Sequence, residues 1–171
     1  MNNEIERKFF VKKLPDLSKI IPIPYERYFI KVEKGMEERI SKIGNKYFYE
    51  AKVEISNLEC TKEKREITQQ EFNKLKENSS EPIYRHKYII STNPDIAIFI
   101  YHGRFEGLIR AEVEFSTVSE ANNFKPLEWM GSEITGLDID RDSKLLKLSS
   151  KKFSSFIILR QKDEGVNLPS F

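Results

Sequence analysis

Cysteine occurs once in the 171 residues of this chain, as Cys60, and histidine only twice, as His86 and His102. A single cysteine excludes an intrachain disulfide and a thiolate metal site, and it fits a reducing compartment. Two histidines are too few for a histidine-rich centre. No apolar run approaches the roughly 20 residues of a spanning helix. The N-terminus also lacks the charged and apolar regions of a secretory signal, so a cytoplasmic protein without membrane contact is expected. An excess of one charge is missing too. Lys plus Arg (29) almost balance Asp plus Glu (27), and the formal charge of +2 calls for neither nucleic acid nor an anionic membrane as partner. Repeats, low-complexity tracts and linkers are absent. The length then predicts one domain, long enough to bury a real core.

What the chain does have is charge, 33% of residues against 39% hydrophobic, and the charge is patterned. In Glu4-Ile5-Glu6-Arg7-Lys8 charged and apolar side chains alternate. A strand has a side-chain period of two, so Glu4, Glu6 and Lys8 share one face. The same pattern returns along the chain. Tyr25, Arg27, Phe29 and Lys31 share a face, and a later strand holds Arg39 and Ser41. After the Gly44-Asn45 hairpin signal, Glu50, Lys52 and Glu54 oppose Tyr47, Tyr49, Ala51, Val53 and Ile55. A charged strand runs from Glu59 to Ile67. Arg85 and Lys87 oppose Tyr84, His86, Tyr88 and Ile90. Ile96 to His102 is a further strand, and in the last one Arg110, Glu112 and Glu114 share a face.

Helices are few. Thr68-Gln69-Gln70-Glu71 is a capping box that opens a short helix with Phe72 and Leu75. A second is predicted around Ser119 to Phe124. Leu145, Leu146, Leu148 and Phe153 suggest a third, packed on the outside of the strands. Phe156 to Leu159 reads as a further strand or a docked tail, and Gly165 to Phe171 as loose.

About eight mostly antiparallel strands can bury their apolar faces in a sandwich, with the charged faces solvated. Periodicity alone favours that arrangement. The alternative is closure, with helices covering the apolar faces and the charges lining a lumen. Enclosed charges must then pair, bind metal or bind a charged ligand.

The Glu-x-Glu-x-Lys strand resembles the signature of the CYTH superfamily, the triphosphate tunnel metalloenzymes. Arg39 and Lys52 stand at the spacing of a family arginine and the lysine of the next strand. Arg85-His86-Lys87-Tyr88 is similar to a family Lys-Thr-Arg-Tyr strand with its cations exchanged. Gly103, Glu106-Gly107-Leu108, Ala111-Glu112-Val113-Glu114 and Trp129-Met130-Gly131-Ser132-Glu133-Ile134-Thr135-Gly136 resemble its late motifs. The resemblance covers roughly residues 3 to 146. It implies an α+β fold, a closed eight-stranded antiparallel β-barrel with helices packed outside. The tunnel domain spans 1–155 and a tail 156–171.

The resemblance further implies hydrolysis of a triphosphate-containing small molecule by a monomer or homodimer. Lys8, Arg39, Lys52 and Glu112 take the catalytic positions. Lys8, Arg39, Lys52, Lys62, Lys64, Arg85 and Lys87 would hold phosphate oxygens, as cations of this kind do. Glu4, Glu6, Glu112 and Glu114 would hold Mg²⁺ or Mn²⁺, hard ions that favour oxygen ligands. The alternative for Glu112 and Glu114 is an inward ion-pair network with Arg110.

Several positions depart from the family pattern. Ser41 replaces a second arginine, and Glu50 a usual threonine. Lys62 and Lys64 replace alternating glutamates, with Glu66 retained, and a bulge would bring in Glu63 instead. Ala97 and Phe99 replace acids. Asp142 stands at a small polar position that is often asparagine. Arg27, Lys31 and Arg110 have the parity to compensate. Two other functions therefore compete: anion binding with little turnover, and an adenylyl cyclase of class IV type with Phe99 and Tyr101 walling a nucleoside. Cys60 reads as a small barrel residue rather than a nucleophile. His86 is expected outside the barrel, and His102 at a strand end.

Overall fold

The structure is a computed structural model that describes residues 2–163. In chain order it contains β1 (Asn2–Val11), β2 (Ile23–Glu33), β3 (Met36–Ile43), β4 (Lys46–Glu54) and β5 (Glu59–Ile67). Then come α1 (Gln69–Lys76), β6 (Ile83–Thr92), β7 (Asp95–His102), a 3₁₀ turn (Gly103–Phe105) and β8 (Ile109–Phe115). α2 (Val118–Asn123), β9 (Met130–Glu133), α3 (Asp142–Leu145) and α4 (Ser150–Asp163) complete it. No helix among the described residues is long and apolar enough to cross a membrane.

β1 is the strand that closes the sheet. Ile5 to Phe10 pair with β8 along one edge, while Asn2 to Ile5 pair with β5 along the other. The order β5-β4-β3-β2-β6-β7-β8-β1 thus returns on itself as a ring of eight strands, every neighbouring pair antiparallel. β9 continues the edge that β5 leaves, pairing with Phe9 and Val11. That strand is an addition to the eight expected. Short hairpins set the register elsewhere. At the β3–β4 turn Ile43 faces Lys46, and Gly44 takes φ +57°, a conformation that a Cβ disfavours.

The outward apolar faces are covered in two places. α1 packs Phe72 and Leu75 on Tyr28, Ile40, Tyr47 and Tyr49. Its Thr68 hydroxyl accepts from the Glu71 N–H, and the Glu71 carboxylate turns outward to Arg65. Phe124, Met130 and Trp129 cover Phe9, Ile98, Ile100, Ile109, Ala111 and Val113.

A third apolar cluster has a different position. Phe10, Phe29, Ile83, Phe99 and Tyr101 carry lumen parity, yet they pack with Phe105, Leu108, Leu145, Phe153 and Ile157. α3 and α4 therefore close one end of the ring instead of lying on its wall, which corrects the expected exterior position. α4 is helical through Phe156 to Leu159, where a strand or docked tail was expected, and it runs across the division placed between 155 and 156. Gly165 to Phe171 lie outside the described residues.

Candidate active site

Alternation sends every second side chain of the ring inward, so the sequence parity translates directly into a lined cavity of about 140 Å³. Ten cationic and seven carboxylate side chains line it. The excess is positive, and the apolar floor leaves the opposite end for entry.

Above that floor sits an arginine layer. The Asp142 carboxylate accepts from Arg27 (2.7 Å), from the Tyr101 hydroxyl (2.6 Å) and from Arg110 (3.2 Å), with Arg85 at 3.5 Å. Burial opposes its charge, but Arg85, Arg110 and Arg27 hold it well below the usual carboxylate range. Arg39 lies between Glu37 (2.8 Å) and Glu50 (3.2 Å). Glu50 is only 2% exposed and also faces Arg27 (3.5 Å) and Lys62 (3.6 Å). Burial works against ionisation there too, and Arg39, Arg27 and Lys62 overcome it.

Arg27 stands directly opposite Ser41 in the β2–β3 register and donates to its hydroxyl at 3.1 Å. The guanidinium absent from β3 thus enters from β2. Arg110 also faces inward, donating to Glu112 at 2.7 Å. Lys31 does not. A bulge after Phe29 shifts the register, and Lys31 pairs with Glu33 at the exposed strand end.

The next layer is acidic and lysine-rich. Oxygens of Glu4, Glu6 and Glu114 lie within 4.8 Å of one another. Glu4 ion-pairs with Lys52 and, at 2.9 Å, with Lys62, while Glu6 takes Lys8 at 2.8 Å. Burial resists the charge of Glu6, but Lys8 and Lys52 bring it down to about 2. Glu114 goes the other way: burial raises it, and so do Glu4, Glu6 and Glu112. Three clustered carboxylates, one of them without an ion pair among the described residues, are a hard-oxygen donor set that fits a divalent cation. Glu112, expected as a fourth ligand, is instead held by Arg110, with Arg85 at 3.6 Å.

The remaining expected residues are on the lumen wall. β5 pairs with β4 without a bulge, so Lys62 and Lys64 point inward and Glu63 is exposed. Lys64 lies 4.2 Å from the Phe48 ring centroid and Lys87 5.8 Å from Phe99; neither has a carboxylate ion pair among the described residues. Tyr101 is bonded to Asp142 in the closed floor, so it does not form a wall with Phe99 at the entrance. Burial pushes the Cys60 thiol up to about 11, which keeps it protonated. His86 and His102 lie on the barrel exterior, hydrogen-bonded to each other at 3.0 Å.

Sequence reading assigned no role to Glu37, offered Tyr101 only as a nucleoside wall and marked Asp142 only as a departure from the family pattern, whereas all three contact the arginines of the site. Their parity gave a signal for Glu37 and Tyr101. Nothing in the pattern showed that Asp142, on the short α3, would reach the centre of the ring.

No protein-family model matches the chain, and no curated protein matches it in sequence. Solved structures do match in fold. The inorganic triphosphatase NE1496 aligns with a TM-score of 0.63 at 24% identity, over 87% of this chain and 97% of its own. A conserved hypothetical protein from Pyrococcus furiosus gives 0.53 at 16% identity, covering 96% of this chain and 91% of that one. The PH1012 protein from Pyrococcus horikoshii OT3 gives 0.52 at 13% identity, with the same coverage of 96% and 91%. The chain therefore shares the fold of these structures, a closed tunnel of antiparallel strands.

Proposed function

We propose that this chain hydrolyses a triphosphate, inorganic or a small organic ester, with Mg²⁺ or Mn²⁺ held by Glu4, Glu6 and Glu114. The observation that carries the reading is the closed, net-cationic lumen with a three-carboxylate cluster among its lysines. The name of the structural neighbour NE1496, an inorganic triphosphatase, points the same way.

Lys8, Lys52 and Lys62 surround the acidic cluster and hold phosphate oxygens beside it. Lys64 and Lys87 supply donors that no carboxylate occupies among the described residues. Arg39, oriented by Glu37 and Glu50, adds fixed charge, and Glu112 acts as a positioning residue through Arg110. The enclosing wall limits bulk water, which strengthens each of these contacts. A bound divalent ion contributes charge neutralisation at the phosphates and activation of water.

The test is a phosphate-release panel over tripolyphosphate, thiamine triphosphate and nucleoside triphosphates with Mg²⁺, Mn²⁺ or EDTA. Release that requires metal and falls at least about 100-fold in Glu6→Gln is expected, the scale of removing one fixed charge partner from a site. No release from any of these compounds with either metal rejects the reading. Cyclic nucleotide from ATP would mark the cyclase chemistry instead.

A second reading, anion binding without turnover, is favoured by one contact. Glu4 already carries two ammonium partners, Lys52 and Lys62, which compete with a metal for it. Tight binding of tripolyphosphate by calorimetry with no phosphate release would select this reading.

A further inference from the structure

Among the described residues, Asp142 is the one carboxylate ion-paired with three arginines of the inner layer, Arg27, Arg85 and Arg110. The Tyr101 hydroxyl completes its shell. Three guanidinium groups and a hydroxyl converging on one small anion are the donor set that suits a phosphate group. The set also exceeds what a carboxylate uses. The buried Nε atoms of Arg85 and Arg110 have no hydrogen-bond partner among the described residues. An ionised carboxylate has two oxygens, whereas a phosphate group presents three with more acceptor sites.

The segment that carries Asp142 is held firmly. Arg110 donates to the Asp140 carbonyl at 3.0 Å, and the Asp140 carboxylate accepts from the Gly136 N–H at 2.7 Å. On the other side Arg141 reaches Glu54 at 3.2 Å. Asp142 itself is only 3% exposed. Its carboxylate is therefore a fixed part of the lumen rather than a side chain free to withdraw.

We propose that Asp142 is an internal anion occupying a phosphate position in the arginine layer, so that it limits the length of phosphate chain the tunnel holds. The proposal rests on the reading that this lumen takes a phosphate chain. It makes Asp142 a specificity-determining residue. Ligand phosphates bind in the lysine layer of Lys8, Lys52 and Lys62, and the arginine layer is closed to them.

The test is calorimetry of wild type and Asp142→Ala with orthophosphate, pyrophosphate and tripolyphosphate, in EDTA. Alanine removes both the charge and the atoms that fill the phosphate position. The expected result is binding of tripolyphosphate at least about tenfold tighter in the variant, about one added charge-assisted contact, with a smaller gain for pyrophosphate. If the wild type binds tripolyphosphate and the folded variant binds it equally or more weakly, the proposal is overturned and the functional reading stands. If neither binds any of the three anions, the functional reading falls and the proposal with it.

Removing a buried charge can cost the fold, so the wild type alone gives a second measurement. With the arginine layer closed by Asp142, affinity in EDTA is expected to stop rising with phosphate number, tetraphosphate binding within about threefold of tripolyphosphate. Affinity that climbs by about tenfold or more from tripolyphosphate to tetraphosphate overturns the proposal as well.

Discussion

Lys62 Nζ stands 2.9 Å from Glu4 Oε1, across the seam where β5 closes the ring onto β1. The pair joins the strand carrying the most informative motif to the strand that departs furthest from the expected pattern. It also adds a second ammonium, beside Lys52, to one of the three clustered carboxylates, where it competes with a cation. Replacing Lys62 by Gln removes a competitor of the metal. Mn²⁺ titrated into the variant is expected to bind about tenfold more tightly than into wild type, the effect of one close charge in a partly screened site. Tripolyphosphate in EDTA is expected to bind more weakly, because the same lysine holds phosphate. Unchanged Mn²⁺ affinity would show that Lys62 does not control this cluster.

Glu114 gives a prediction of opposite sign to most carboxylates of the lumen. Burial, then Glu4, Glu6 and Glu112, raise its pKa. A raised carboxyl favours the folded state while neutral, fully so below its unfolded pKa. That contribution is lost as pH rises through the folded pKa. Once ionised, Glu114 therefore works against the metal-free fold. Glu114→Gln is expected to raise Tm at pH 7 without metal, and to shrink the Tm gain on adding Mn²⁺. A lowered Tm in the metal-free variant contradicts the assignment.

Much of this site was legible because strand parity is a local property. Glu4, Glu6, Lys8, Lys52, Arg85, Lys87 and Glu112 needed only a period of two and the right strand boundaries. Closure was not legible from periodicity, since a solvated charged face and a lumen have the same pattern; the resemblance supplied it, and the two partners of β1 now account for it. What failed to show depends on contacts distant in sequence. Lys31 left the lumen because one extra residue, Ile30, sits in the β2 ladder. Asp142 entered it because α3 folds under the ring, and no local pattern encodes that. The departures also proved coupled: Arg27 replaces the guanidinium that Ser41 lacks, and Glu50 balances Arg39, Arg27 and Lys62.

Cys60 is buried in the wall beside Glu4, to which its Sγ donates at 3.4 Å. With burial holding the thiol near 11, the nucleophilic thiolate is scarce at neutral pH. Cys60→Ser is expected to keep phosphate release within about twofold of wild type, and alkylation of the native protein at pH 8 to be slow against a free thiol, whose pKa is about 8.5. Rapid alkylation accompanied by loss of turnover would return Cys60 to the list of reacting groups.

Glu50 offers the sharpest stability test, because it is buried among Arg39, Arg27 and Lys62. Glu50→Gln leaves Arg39 with Glu37 alone and weakens the hold on Arg27. Removing one partner of a buried ion network costs about 3–5 kcal/mol, which urea unfolding at pH 7 can measure. The pH dependence fixes the cause. Burial opposes its charge, yet the three cations depress its pKa well below 4.5 in the folded protein. A depressed carboxyl contributes stability that is fully present above its unfolded pKa and is lost as pH falls towards the folded one. The gap between wild type and variant is therefore expected to be constant from pH 7 to about pH 5 and to narrow below about 4.5. A gap that stays constant down to pH 3 would assign the loss to packing, and would remove Glu50 as the anion that balances the arginine layer.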